Sequence, residues 1–137
     1  MSKPRTTIYQ HRVRYLEADA QGVVFNMWYL GYFDEAMSAF LEDGGLPYLE
    51  MLAAGFDVQL VHSEIDWKGS ARWGDDAVVE VTTAEVGRTS FTLEFLVKVK
   101  GEVIATAKTV YVVINTDGSG KRPVPEDLRA ALEAAQH

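Results

Sequence analysis

The sequence predicts an α+β fold in which a curved antiparallel sheet of about five strands wraps around one long helix. Three features of the 137 residues point that way. From residue 56 onward the chain consists mostly of runs in which side chains alternate in character, the two-residue period of strands. Short glycine-containing segments join those runs at hairpin spacing. Only one stretch, about 27–42, repeats apolar residues at helical intervals over several turns, so it alone is large enough to cover the apolar face of such a sheet.

Taken in order, residues 6–15 read as a first strand, with Ile8, Gln10, Arg12 and Arg14 on one side and Tyr9, His11, Val13 and Tyr15 on the other. The chain loosens around Asp19 and Gly22 and enters the helix, where Trp28, Tyr29, Phe33, Ala36, Met37, Phe40 and Leu41 form the apolar stripe. Asp43-Gly44-Gly45 closes it, since glycine supplies the left-handed backbone that commonly ends helices. Residues 46–54 predict a shorter helix stopped by Gly55. Residues 56–67 form the second strand, with Val58, Leu60, His62, Glu64 and Asp66 facing opposite to Gln59, Val61, Ser63, Ile65 and Trp67. Residues 77–86 turn at Gly87-Arg88-Thr89 into 90–99, and Lys100-Gly101 turns tightly into 102–114. That last strand is apolar on both sides, as expected where both faces are covered. A polar loop at 115–123 leads to a closing helix over 125–135.

The length and 47% hydrophobic content suit a single domain over 1–137 with its own core. With no cysteine, disulfides, thiolate nucleophiles and cysteine-based zinc sites are excluded. His11, His62 and His137 lack metal-ligand spacing, so neither a metal nor a cofactor is expected. No apolar run is long enough for a membrane span, and the first residues lead straight into a strand; the expectation is a cytoplasmic protein with no membrane partner. A net charge of -7 argues against a nucleic-acid face, which needs concentrated basic surface. Unpaired strand edges favour association, so a homodimer joined sheet edge to sheet edge is expected.

Asp19 has two readings on residue chemistry alone. It can be a loop or capping residue. It can also be a catalytic carboxylate aimed at a carbonyl polarised by an unpaired amide at the helix start. A serine-hydrolase site is not suggested, because no Gly-x-Ser-x-Gly elbow occurs and Ser63 beside His62 faces the opposite way on a strand.

The run Arg14-Tyr15-x-x-x-Asp19-x-x-Gly22-Val23-Val24-Phe25-x-x-x-Tyr29-Leu30 is followed in order by Gly45-Leu46-Pro47, Gly74-Asp75 and Arg88-Thr89-Ser90-Phe91. Together they resemble the signature of the 4-hydroxybenzoyl-CoA thioesterase family of hotdog-fold acyl-CoA thioesterases. The resemblance implies a hotdog fold, a homodimer often paired into a homotetramer, and hydrolysis of an acyl-CoA to the free acid and CoA. It makes Asp19 the catalytic carboxylate, as nucleophile or general base, and the backbone N–H of Asn26 the donor to the thioester oxygen. Many relatives carry histidine or tyrosine at the position of Asn26, so a step needing an imidazole there is in doubt.

Gly22 would let the loop pass close to the ligand, or is a simple turn glycine. Arg88, Lys121 and Arg122 match regions that contact the CoA nucleotide and phosphates, the alternative being solvated turn cations. His62 and Ser63 match the strand that lines the acyl pocket. Tyr29, with Trp28, Phe33, Trp67 and Trp73, could shape that pocket or belong to the core or dimer interface. Two other functions fit the same residues: a thioesterase acting on acyl carrier protein, and a non-catalytic acyl-CoA binding module in which Asp19 is structural.

Overall fold

The computed structural model describes residues 5–136; His137 and the first four residues, on which part of the metal and leader readings fall, lie outside them. Five strands form one antiparallel sheet: β1 (Thr7–Arg12), β2 (Phe56–Trp67), β3 (Asp76–Val86), β4 (Ser90–Val99) and β5 (Glu102–Asn115). Their spatial order is β1-β3-β4-β5-β2, which leaves β1 and β2 at the edges. Among the described residues three α-helices accompany it: α1 (Trp28–Asp43), α2 (Tyr48–Ala53) and α3 (Glu126–Ala134). None of the described helices is long and apolar enough to cross a membrane.

The core forms where the stripe of α1 meets one face of the sheet. Tyr29, Tyr32, Phe33, Ala36, Met37, Phe40 and Leu41 are buried along α1, and Val79, Val81, Leu93, Phe95 and Val97 are buried on the sheet. Phe33 stacks on Phe95 with ring centroids 4.8 Å apart. Burying each such ring contributes about 1.5–3 kcal/mol, so Phe95→Ala would cost about 3–5 kcal/mol once the cavity is counted.

Helix α1 ends as its glycines dictate. Gly45 takes a φ of 87°, and its N–H and that of Leu46 return to the carbonyls of Glu42 and Leu41. This is the Schellman pattern, which satisfies two of the carbonyls a helix end leaves unpaired.

Two features depart from the sequence-based expectation. The first strand stops at Arg12, not Tyr15, because Tyr15–Glu17 winds into a 3₁₀ turn. In β2 the register slips between Leu60 and His62. Val61 is the extra residue of this bulge, and one extra residue reverses every side chain beyond it. Val58 and Leu60 pair opposite Val113 and Tyr111, on the face that also carries Ser63, Ile65 and Trp67; they do not share a face with His62, Glu64 and Asp66.

Candidate active site

The segment between β1 and α1 folds back on itself. Ala18 and Val24 form an antiparallel bridge, the Asp19 N–H donates to the Val23 carbonyl at 2.9 Å, and the Gly22 N–H donates to the Asp19 carbonyl at 2.9 Å. Gly22 has φ 80°, and a Cβ there would meet only the Arg72 guanidinium, 4.0 Å away. The glycine is therefore required by backbone conformation and not by crowding. One oxygen of Asp19, Oδ1, accepts the Gln21 N–H at 2.8 Å, an Asx-type turn bond. Among the described residues Oδ2 receives no donor, so the carboxylate keeps an oxygen for other work. Asp19 does not cap α1; Met27 stands at that N-cap without any side-chain hydrogen bond.

The far arm of the loop runs into the helix. The Phe25 N–H donates to the Glu17 carbonyl at 2.9 Å and the Val24 N–H to the Ala71 carbonyl at 2.8 Å. Beyond this closure, Asn26 and Met27 turn into α1, their carbonyls accepting from Tyr29 and Leu30. Among the described residues the Asn26 N–H has no acceptor, as expected for the unpaired donors at a helix entrance. A half-free carboxylate and a free amide thus leave the two arms of one loop whose base is pinned at Glu17–Phe25. A developing oxyanion at such an amide would also sit at the positive end of the α1 dipole.

The base of the loop is itself anchored by a charge. Glu17 is 0% exposed. Its carboxylate accepts hydrogen bonds from Tyr32 Oη (2.7 Å), His11 Nε2 (2.9 Å), Arg14 Nε (2.8 Å) and the Arg14 backbone N–H (3.1 Å). An ionised carboxylate only accepts, so the proton in the His11 contact sits on Nε2. Burial alone would raise this acid's pKa, but the bonds from Tyr32, His11 and Arg14 outweigh it and hold the value down to about 2. Burial and the bond to Glu17 push the Tyr32 phenol far above its ordinary range. A cavity of about 140 Å³ lies against this cluster, bordered also by Tyr9, Trp28, Gly31 and Glu35. Asp19 and Asn26 are not in its wall; Asn26 is exposed and Asp19 half-buried.

The other candidates separate into three groups. Tyr29 is 1% exposed and its Oη accepts the Ala71 N–H at 3.1 Å, which makes it a core residue and not part of an open pocket in this chain. His62 and Ser63 point to opposite faces of β2: His62 is exposed and contacts Glu64 Oε1 at 3.1 Å, whereas Ser63 Oγ lies 3.0 Å from the buried Thr109 Oγ1. The backbone segments carrying Arg88 and Arg122, far apart in sequence, lie together beside the end of β5, the Val124 N–H donating to the Arg88 carbonyl at 2.8 Å. The Val113 N–H donates to the carbonyl of Thr89, and its carbonyl accepts the Arg122 N–H. Lys121 bridges to Ile114 beside them, and the Arg122 guanidinium lies 5.4 Å from the centre of the Phe56 ring. Among the described residues none of the three cations pairs with a carboxylate.

Sequence reasoning missed the His11–Arg14–Glu17–Tyr32 cluster. The Arg14-x-x-Glu17 spacing suits an i,i+3 pair and was the available signal. Nothing in the spacing indicates that the carboxylate would be buried.

The sequence model of the Thioesterase-like superfamily matches residues 13–132. A putative esterase of Aquifex aeolicus (strain VF5) is 33% identical over 107 residues, 78% of this chain and 84% of that one. A 1,4-dihydroxy-2-naphthoyl-CoA hydrolase of Rippkaea orientalis is 29% identical over 133 residues, covering 94% of this chain and 96% of that one. Among solved structures, a gentisyl-coenzyme A thioesterase superimposes with a TM-score of 0.85 at 28% identity, over 91% of this chain and 98% of the other.

Proposed function

The chain belongs to the Thioesterase-like superfamily and has its hotdog-like fold, and from that premise we propose how it works as an acyl-CoA thioesterase: it hydrolyses an acyl-CoA to the free acid and CoA with Asp19 as the working carboxylate. The observation that carries this reading is the loop geometry: on one loop pinned at Glu17–Phe25, a carboxylate with one oxygen unengaged and an amide without an acceptor among the described residues. The thioester oxygen accepts the Asn26 N–H, and the carbonyl carbon becomes electron-poor. As general base, Asp19 takes a proton from water while the water oxygen bonds to that carbon. The tetrahedral oxyanion then collapses, the C–S bond breaks, and the proton passes from Asp19 to the departing CoA thiolate. As nucleophile, Asp19 would instead form a mixed anhydride that water opens. Single turnover in ¹⁸O-water separates the two, since only the anhydride route can leave label in Asp19.

An aromatic acyl group is favoured. The thioesters for which two relatives are named, 1,4-dihydroxy-2-naphthoyl-CoA and gentisyl-CoA, have hydroxylated aromatic acyl groups, and the run from Arg14 to Leu30 resembles the signature of the 4-hydroxybenzoyl-CoA thioesterase family. Arg88, Lys121 and Arg122, gathered at one end of β5 and β4, supply cations for the CoA phosphates in a chain otherwise rich in carboxylates. Because Asn26 is exposed and Asp19 only half-buried in one chain, a dry site needs a second copy beside them. Exposed Leu60, Val61 and Trp67 on the edge strand β2 support a homodimer, or a homotetramer built from it.

Thiol release from a panel of aromatic and aliphatic acyl-CoAs, and from the same acyl groups on a carrier protein, tests the reading. The expected result is fastest turnover on aromatic acyl-CoAs and loss of about 10²–10⁴-fold in kcat for Asp19→Asn. Turnover on carrier-bound groups alone would move the substrate to the carrier protein. Tight acyl-CoA binding without thiol release by either form would make the protein a binding module.

A further inference from the structure

Glu17 has no part in the steps above, yet it is the fully buried carboxylate of the site region. Taking a carboxylate out of water costs several kcal/mol unless its lone pairs are filled. Here they are filled from three directions: by His11 on β1, by Arg14 just ahead of the 3₁₀ turn, and by Tyr32 on α1. The backbone carbonyl of the same residue accepts the Phe25 N–H. One residue therefore ties β1 and α1 to both ends of the loop that carries Asp19, two positions later, and Asn26, one position after Phe25. An apolar side chain could fill the same space, but apolar contacts slide, whereas these bonds weaken steeply when misaligned.

We propose that Glu17 is a positioning residue for thioester hydrolysis: clamped between Tyr32 and His11, it fixes the Asp19 carboxylate relative to the Asn26 N–H. The proposal rests on the catalytic reading of those two groups. The ring of Tyr32 packs 5.7 Å from Tyr29 and 4.4 Å from His11, so removing the hydroxyl alone leaves its packing in place while releasing one corner of the clamp.

The test compares Tyr32→Phe, Glu17→Gln, Asp19→Asn and the Tyr32→Phe/Asp19→Asn pair by kcat and KM on the best acyl-CoA of the panel, with urea unfolding to set the folded fraction. Tyr32→Phe is expected to lower kcat of the folded enzyme about tenfold, since small misplacements of reacting groups carry penalties of that order, with KM within twofold. Glu17→Gln, which turns an amide towards the Arg14 donors, is expected to lose more. In the double variant the Tyr32→Phe loss should disappear, because Asp19 is then no longer there to be positioned. Unchanged kcat in Tyr32→Phe, or losses that multiply in the double variant, would overturn the proposal while leaving Asp19 catalysis intact. Full activity of Asp19→Asn would instead remove the reading beneath it, and the proposal with it.

Discussion

Tyr29→Phe distinguishes a core tyrosine from a substrate contact. The ring is 1% exposed and packs edge-on against Tyr32 and Trp67, with centroids 5.7 Å and 6.0 Å away. Phenylalanine keeps those contacts and deletes only the oxygen that accepts the Ala71 N–H. Ala71 is itself 0% exposed, so its amide would be left without a partner. An orphaned buried donor costs about 1–3 kcal/mol. At the unfolding entropy of a chain this size each kcal/mol moves the thermal midpoint by about 3–4 °C, which predicts a fall of about 4–10 °C in calorimetry and a lower urea midpoint with unchanged slope. The Ala71 carbonyl holds the Val24 N–H at the back of the loop, so a small drop in kcat can accompany the loss of stability. KM should stay within twofold. A midpoint unchanged within 1 °C together with a KM raised severalfold would refute this reasoning and make Tyr29 part of the acyl pocket.

Three further outcomes follow from the same geometry. The folded-state pKa of Glu17 lies at about 2, below its ordinary 4.5, so its stabilising share is complete above pH 4.5 and is lost as pH falls towards 2. Urea midpoints measured from pH 7 to pH 3 should decline in that window and decline less in Tyr32→Phe, which removes one of the bonds holding the pKa down; equal slopes would contradict the account. Gly22→Ala places a side chain at φ 80° in open space, so it should cost about 1–2 kcal/mol from backbone strain alone, read by thermal unfolding. Asparagine at the same position should cost less. Arg88→Ala with Arg122→Ala should raise KM for an acyl-CoA about two- to tenfold, in keeping with exposed charge contacts, and leave KM for the matching acyl-pantetheine unchanged; an equal rise for both substrates would remove these cations from the phosphate site.

Much of the architecture was legible because it depends on local periodicity. Alternation located β3, β4 and β5, the apolar stripe located α1, and Gly45 and Gly55 marked where helices stop. The faces of β2 were not legible in full: Val61 looks like any other strand residue, and only pairing against β5 reveals that it is the extra residue that reverses the alternation. The site divides in the same way. Asp19, Gly22 and the entrance of α1 sit together in one short motif, so a reader of the chain can find them. The segments carrying Arg88 and Arg122 are separated in sequence by two strands and come together only where both bond to Val113 of β5, through the Thr89 carbonyl and the Arg122 N–H.

By itself, then, the sequence determined the order and kind of the elements and singled out the loop on which the proposed chemistry is placed, since helix stripes, strand alternation and left-handed glycines are properties of neighbouring residues. Only the tertiary structure decided which polar groups are removed from water. Tyr29 passes from candidate ligand contact to core, and Glu17 from an ordinary acid to the buried anchor of the loop. Burial and hydrogen-bond partners arise when β1, α1 and the 71–72 segment come together, and no spacing along one chain encodes how far each side chain will then lie from solvent.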